Sequence, residues 1–265
     1  MSVLTAQLEK LVANAKRVKS DEFQSVIDEY RNLFDRYVFR LRPSVGSISL
    51  VSCANWTPQL GFSNMTSGTI LQRTLASLKD GSVNLKAPDR PTPEKSVQSW
   101  LIAQSIANAG RVEAIEKAVS DGHSYWFVSD EIALTTSDDR EGSKPVRVVA
   151  DLLMIRSDEN GDSELVNVEL KSQRTTETHG QTQKFWQFMG PSQVALWREF
   201  VDVMLEGPDR TWKANSKSRG IVIWPNAVRP SKSTSELIAR YKSEESIDTI
   251  CYSGPNYSLR PEPSL

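Results

Sequence analysis

The stretch VRVVADLLMIRSDENGDSELVNVELKS, residues 146–172, constrains the fold more than any other part of the chain. Two apolar runs flank a polar loop containing Asn160-Gly161, a pair well suited to a tight hairpin turn. A hairpin centred on Asn160 sets Arg156 opposite Glu164 and Asp151 opposite Glu169. Directly opposed residues of an antiparallel pair share a face, with Cβ atoms about 4.5–5.5 Å apart. Asp151 interrupts VVADLLMI, which is apolar on both faces and reads as a buried central strand. Two carboxylates opposed in an apolar sheet repel each other, and burying them unpaired is costly. A divalent cation held by oxygen ligands converts that repulsion into a binding site. Lys171 stands two residues after Glu169 and so on the same face, while Leu170 between them points into the core. The Leu170 carbonyl is a candidate for one more oxygen ligand. The plainer alternative is a buried ion network in which Lys171 only neutralises one acid.

Around this hairpin the chain alternates between helical and extended patterns. Residues 1–42 read as helical, with Leu4, Leu8, Leu11 and Val12 and then Phe23, Val26, Ile27, Tyr30, Leu33 and Phe34 at helical spacing. Residues 46–56 look like a strand, and a short helix follows near Ile70–Leu78. Three prolines in KAPDRPTPEK, residues 86–95, mark an internal boundary. The spacing predicts an accessory helical extension over 1–90 and a second unit over 91–265. In that second unit Thr92-Pro93 opens a helix that Gly110 ends, and Val112–Val119 is a further helical piece. Strands are expected over Tyr125–Leu134, Val146–Ile155 and Leu165–Leu170. A helix from about Gln181, kinked at Gly190-Pro191, should reach Leu205 before a buried strand at Gly220–Trp224. A helix near Ser235–Tyr241 and a strand near Ile247–Tyr252 complete the pattern. This order predicts an α/β fold with a mixed central sheet flanked by helices.

With Asp151 on the second strand and Glu169-Leu170-Lys171 on the third, the sequence resembles the PD-(D/E)XK nuclease superfamily of restriction endonuclease-like folds. The resemblance covers about residues 92–225. Ala150 stands where the motif's proline would be. Members carry an αβββαβ core, and many add a glutamate on the first core helix, for which Glu94 is the candidate. The Gln-then-Tyr signature of the helicase-associated branch is missing, since Gln181 is followed four residues later by Phe185 and Gln183 by Gln187.

The resemblance implies Mg²⁺- or Mn²⁺-dependent hydrolysis of phosphodiesters, that is, a nuclease with DNA favoured over RNA as substrate. Asp151, Glu169, Glu94 and the Leu170 carbonyl would hold metal, and Lys171 would act on the attacking water. A possible homodimer suits cleavage of two strands by two sites. A non-catalytic nucleic-acid-binding or scaffold protein of the same fold, or an RNA-directed nuclease, are the rival readings.

Composition bounds these expectations. Net charge is −1, so no global basic field advertises a polyanionic partner, and a local patch must do that work. Residues 207–232 carry Arg210, Lys213, Lys217, Arg219, Arg229 and Lys232 against Asp209 alone. That cluster, with Arg174 and Lys184, is the candidate phosphate grip, and a solvated loop is its alternative. His123 and His179 have no evident partners for nucleophilic catalysis. Cys53 and Cys251, the only cysteines, show no metal-ligand spacing and are expected as reduced thiols. The amino-terminal residues lack a signal-peptide pattern, and no apolar run of about 20 residues suggests a membrane span, so a cytoplasmic location is expected.

Overall fold

The computed structural model of the chain describes residues 3–30, 37–52, 67–80, 93–136, 146–173, 185, 190, 193–206, 211–212, 219–226, 232–244, 246–253 and 258–261. The helices are α1 (Val3–Val18), α2 (Asp21–Tyr30), α3 (Gly68–Lys79), α4 (Pro93–Ala107), α5 (Glu113–Val119), α6 (Val194–Met204) and α7 (Lys232–Glu244). The strands are β1 (Tyr37–Arg42), β2 (Ser47–Ser52), β3 (Ser124–Thr136), β4 (Val146–Ser157), β5 (Ser163–Leu170), β6 (Arg219–Pro225), β7 (Ile247–Ser253) and β8 (Ser258–Pro261). Strands β3 to β8 form one sheet in sequence order, and β1 and β2 make a separate antiparallel ribbon. The large sheet is mixed. Strands β3, β4 and β5 run antiparallel, β5, β6 and β7 run parallel, and β8 returns antiparallel along β7.

Helices cover both faces. On one side α1 and α6 pack on β3 and β4 through Leu8, Leu11, Val12, Ala15, Trp197 and Phe200. On the other, α4 and α5 pack on Leu152, Met154, Val166, Val168, Ile221 and Ile223. A smaller cluster seats Tyr241 of α7 on Val222 and Trp224 of β6. The burial of β6 explains its composition: a strand covered on both faces needs apolar residues at every position, not at every second one, as Ile221, Val222, Ile223 and Trp224 show.

Local signals account for the ends of these elements. Helix α4 stops where Ala109 and Gly110 take positive φ (51° and 97°), and the Gly110 N–H donates to the Ser105 carbonyl at 2.6 Å. That wrap-around satisfies a carbonyl the helix would otherwise leave open. In α1, apolar residues recur at three- and four-residue spacing, and the stripe they form is the face buried against α6.

Two expectations need correction. Residues 37–42 are extended, not helical: aromatic and β-branched Tyr37, Val38 and Phe39 suit a strand, Phe39 to Arg42 alternate apolar and charged residues, and β2 is the pairing partner. Strand β8 was not anticipated at all, because SLRP carries little apolar surface and rests on pairing with β7. Of the boundary expected over 86–95, residues 86–92 lie outside the described residues and residues 93–95 open α4. Among the residues before it, α1 is part of the main core, whereas α2 and α3 share a cluster of their own with Ile48 of β2.

Candidate active site

The β4–β5 hairpin has the register the sequence implies, with Arg156 opposite Glu164 and Leu152 opposite Val168. One step further, where Asp151 would face Glu169, a side chain takes over from the backbone ladder: Asp151 Oδ2 accepts the Leu170 N–H at 2.8 Å. Glu169 is 4% exposed, and its backbone lies beside Val222 of β6. Lys171, just past β5, is pinned on two sides. Its N–H donates to the Ile223 carbonyl at 2.9 Å, and its own carbonyl accepts the Tyr252 hydroxyl at 3.2 Å. Its ammonium pairs with Glu169 Oε1, whereas Glu169 Oε2 is buried and has no hydrogen-bond partner among the described residues.

Helix α4 brings a second group of residues to the same place. Glu94, in its first turn, accepts the Ser172 N–H on Oε1 at 2.6 Å, so the helix acid named from sequence arrives at the end of β5. One residue on, Lys95 forms an ion pair with Glu131 of β3. Gln98 donates to Glu131 Oε1 at 3.1 Å and to the Asp151 carbonyl at 2.8 Å, tying three elements together. Glu131 has φ 52°, a left-handed conformation that is uncommon for a residue with a side chain and more so within a strand. The alternation of β4 reverses at the same level: Leu152 and Met154 belong to the α4 side, Val148 and Ala150 to the α1 side. Both strands therefore change face where the acids gather. Lys95, Gln98 and Glu131 were not singled out from sequence. The available signal was the adjacent Asp130-Glu131 inside an otherwise apolar strand.

Electrostatics follow from burial. Loss of solvent, the largest influence, and the nearby Glu131 push Asp151 up to about 6, although the Leu170 N–H, Lys95 and Lys171 pull the other way. Burial, and then the charge of Asp151, push Glu169 up to about 7 against the pull of Lys171. For Lys171, burial favours the neutral amine, but Glu169, Asp151 and Glu94 outweigh it and raise its pKa above the ordinary value. The site thus holds more negative charge than its two lysines balance.

Among the described residues no three His, Cys, Asp or Glu side chains are arranged to hold a metal ion. Mg²⁺ needs fewer, because it keeps several waters and commonly binds through one or two carboxylates plus substrate phosphate. Two destabilised carboxylates and the unpartnered Glu169 Oε2 fit that donor set.

No family model, curated protein or solved structure matches this chain.

The remaining sequence candidates separate into two groups. Arg174, Lys184, Arg210, Lys213 and Lys217 lie outside the described residues, as does His179. Arg219 opens β6 opposite Val166, four rungs from the Leu170 end, and its guanidinium pairs with Asp248 at 2.5 Å. It is not brought to the acid cluster. His123 sits at the hairpin-turn end beside Arg156, which bridges Asp121 and Glu164, both at 2.9 Å. Leu170 buries its side chain on the α4 side of the sheet, as its place between two site residues requires. The Cys251 side chain is fully buried. No described helix is long and apolar enough to cross a membrane.

Proposed function

We propose that this chain is a divalent-metal-dependent nuclease of the PD-(D/E)XK type, hydrolysing phosphodiester bonds with DNA as the favoured substrate. The observation that carries the reading is the meeting of Asp151, Glu169, Lys171 and Glu94 at one end of the sheet, from three separate elements. The element order is compatible with an αβββαβ core: α4, then antiparallel β3, β4 and β5, then α6 and the parallel β6. The short α5 is inserted after α4, and α7, β7 and β8 extend the sheet beyond that core.

Asp151 and Glu169 would hold Mg²⁺ or Mn²⁺, with the Leu170 carbonyl and Glu94 completing its shell directly or through water. Such a cation, when bound, would supply Lewis-acid polarisation of the scissile phosphate and would acidify an attacking water. Lys171, its backbone fixed by β6 and β7, presents its ammonium to that water and to the negative charge that grows on phosphate. Lys95, partly exposed at the mouth of α4, gives a second cation for substrate phosphate.

The test is incubation of plasmid DNA, single-stranded DNA and RNA with purified protein in Mg²⁺ or Mn²⁺. EDTA, Asp151→Ala and Lys171→Ala serve as controls. The expected result is metal-dependent cleavage that both substitutions abolish while the circular dichroism spectrum is unchanged. Cleavage by Lys171→Ala at the wild-type rate would remove Lys171 from the mechanism. Absence of both cleavage and Mn²⁺ binding would favour a binding scaffold instead.

A further inference from the structure

Strand β5 divides its side chains cleanly. Val166, Val168 and Leu170 enter the core beneath α4, and Leu165 enters the opposite one. Asn167 and Glu169 therefore share the Leu165 face, which runs on towards Lys171. Asn167 is fully buried, and among the described residues neither its Nδ2 nor its Oδ1 has a hydrogen-bond partner. Across the sheet its neighbours are Leu153 on β4 and Gly220 on β6, one apolar and one without a side chain. Buried amides without partners are rare and costly, and a leucine, with the same branching and the same number of side-chain heavy atoms, would carry no such cost. The second unpartnered buried oxygen on this strand is Glu169 Oε2, two residues away on the same face. Such residues lie about 6.5–7 Å apart along a strand, beyond the roughly 5.6 Å that two hydrogen bonds to one water can reach but within the span of two waters in line.

We propose that Asn167 is a positioning residue for the metal site: its amide holds Glu169 Oε2 through a short chain of two bridging waters. With Lys171 engaging Oε1, both oxygens of Glu169 are then fixed in direction. The amide supports a ligand without touching cation or substrate, an outer-shell role whose loss lowers metal affinity about 10–100-fold. The inference rests on the metal-dependent reading above.

Its test pairs two measurements on the wild-type chain, Asn167→Leu and Asn167→Ser: Mn²⁺ titration by calorimetry and thermal melting in EDTA. Asn167→Leu should bind Mn²⁺ at least about tenfold more weakly yet melt no lower than wild type, since it removes an unsatisfied polar group. Asn167→Ser, which keeps a hydroxyl and leaves room for water, should recover most of the affinity. Equal Mn²⁺ affinity in wild type and Asn167→Leu overturns this inference alone. A fall in affinity matched by a fall in melting temperature in both variants assigns Asn167 a structural role and also overturns it. A wild-type chain that binds no Mn²⁺ overturns the metal reading and this inference together.

Discussion

Replacing Asp151 by asparagine should make the metal-free protein more stable while destroying the proposed activity. Asparagine keeps an acceptor for the Leu170 N–H that Asp151 Oδ2 now receives, so the hairpin loses no hydrogen bond. What disappears is a buried negative charge beside Glu131 and Glu169. Folding raises the Asp151 pKa from 3.8 to about 6. A rise of about two units at about 1.4 kcal/mol each sets a ceiling near 3 kcal/mol for the cost of ionising it in the fold. Below the ordinary pKa the carboxyl is protonated in both the folded and the unfolded chain, and the cost vanishes. It grows as pH rises through about 4 to 6 and is complete above that. Asp151→Asn should therefore gain about 1–3 kcal/mol at pH 8 in EDTA, and about a third of that at pH 4.5. Urea denaturation at the two pH values measures both gains, and the melting temperature should rise by about 2–4 °C per kcal/mol. An equal gain at both pH values, or none at pH 8, would refute the claim that the acids are held apart from the charge they need.

Three further outcomes follow from the same geometry. Saturating Mg²⁺ at pH 8 should stabilise the wild-type chain by about 2.7 kcal/mol at 100 times its dissociation constant. Glu169→Gln should show no such gain, and parallel melting curves with and without Mg²⁺ distinguish the two cases. Arg219→Ala should cost about 2–3 kcal/mol in urea denaturation by leaving Asp248 buried without its cation, and Asp248→Asn in the same chain should recover part of that loss. Trp197→Ala, which empties the centre of the α1–α6 core against Phe185 and Phe200, should cost about 3–5 kcal/mol in the same assay.

The hairpin was legible because two local signals agree: a glycine-containing turn fixes the register, and unbroken apolar runs fix how deeply both strands are buried. Register then places Asp151 near Glu169 without knowledge of any other element. Glu94 was legible for a related reason, since a helix opened by proline presents its first-turn acid at a known point. The strand at Tyr37–Arg42 escapes a reading that carries the preceding helical period forward, because its conformation is decided by pairing with β2. Glu131 was illegible because its approach to Asp151 depends on a left-handed residue in mid-strand, and pattern reasoning assumes strict alternation. Arg219 looked like one of a basic cluster, whereas pairing with Asp248, 29 residues away, depends on the alignment of β6 and β7. Long-range parallel pairing leaves no mark in local sequence.

The seat of α1 against α6 also bears on how the molecule is made. Leu8, Leu11, Val12 and Ala15 are synthesised roughly 180 residues before Trp197 and Phe200, the side chains that cover them. At about 5–20 residues per second, the apolar stripe waits on the order of 10–35 s on the ribosome for its partner. During that interval it is a sticky amphipathic segment, open to chaperones and to neighbouring nascent chains. Folding yield should therefore respond to translation speed and to temperature through this one helix.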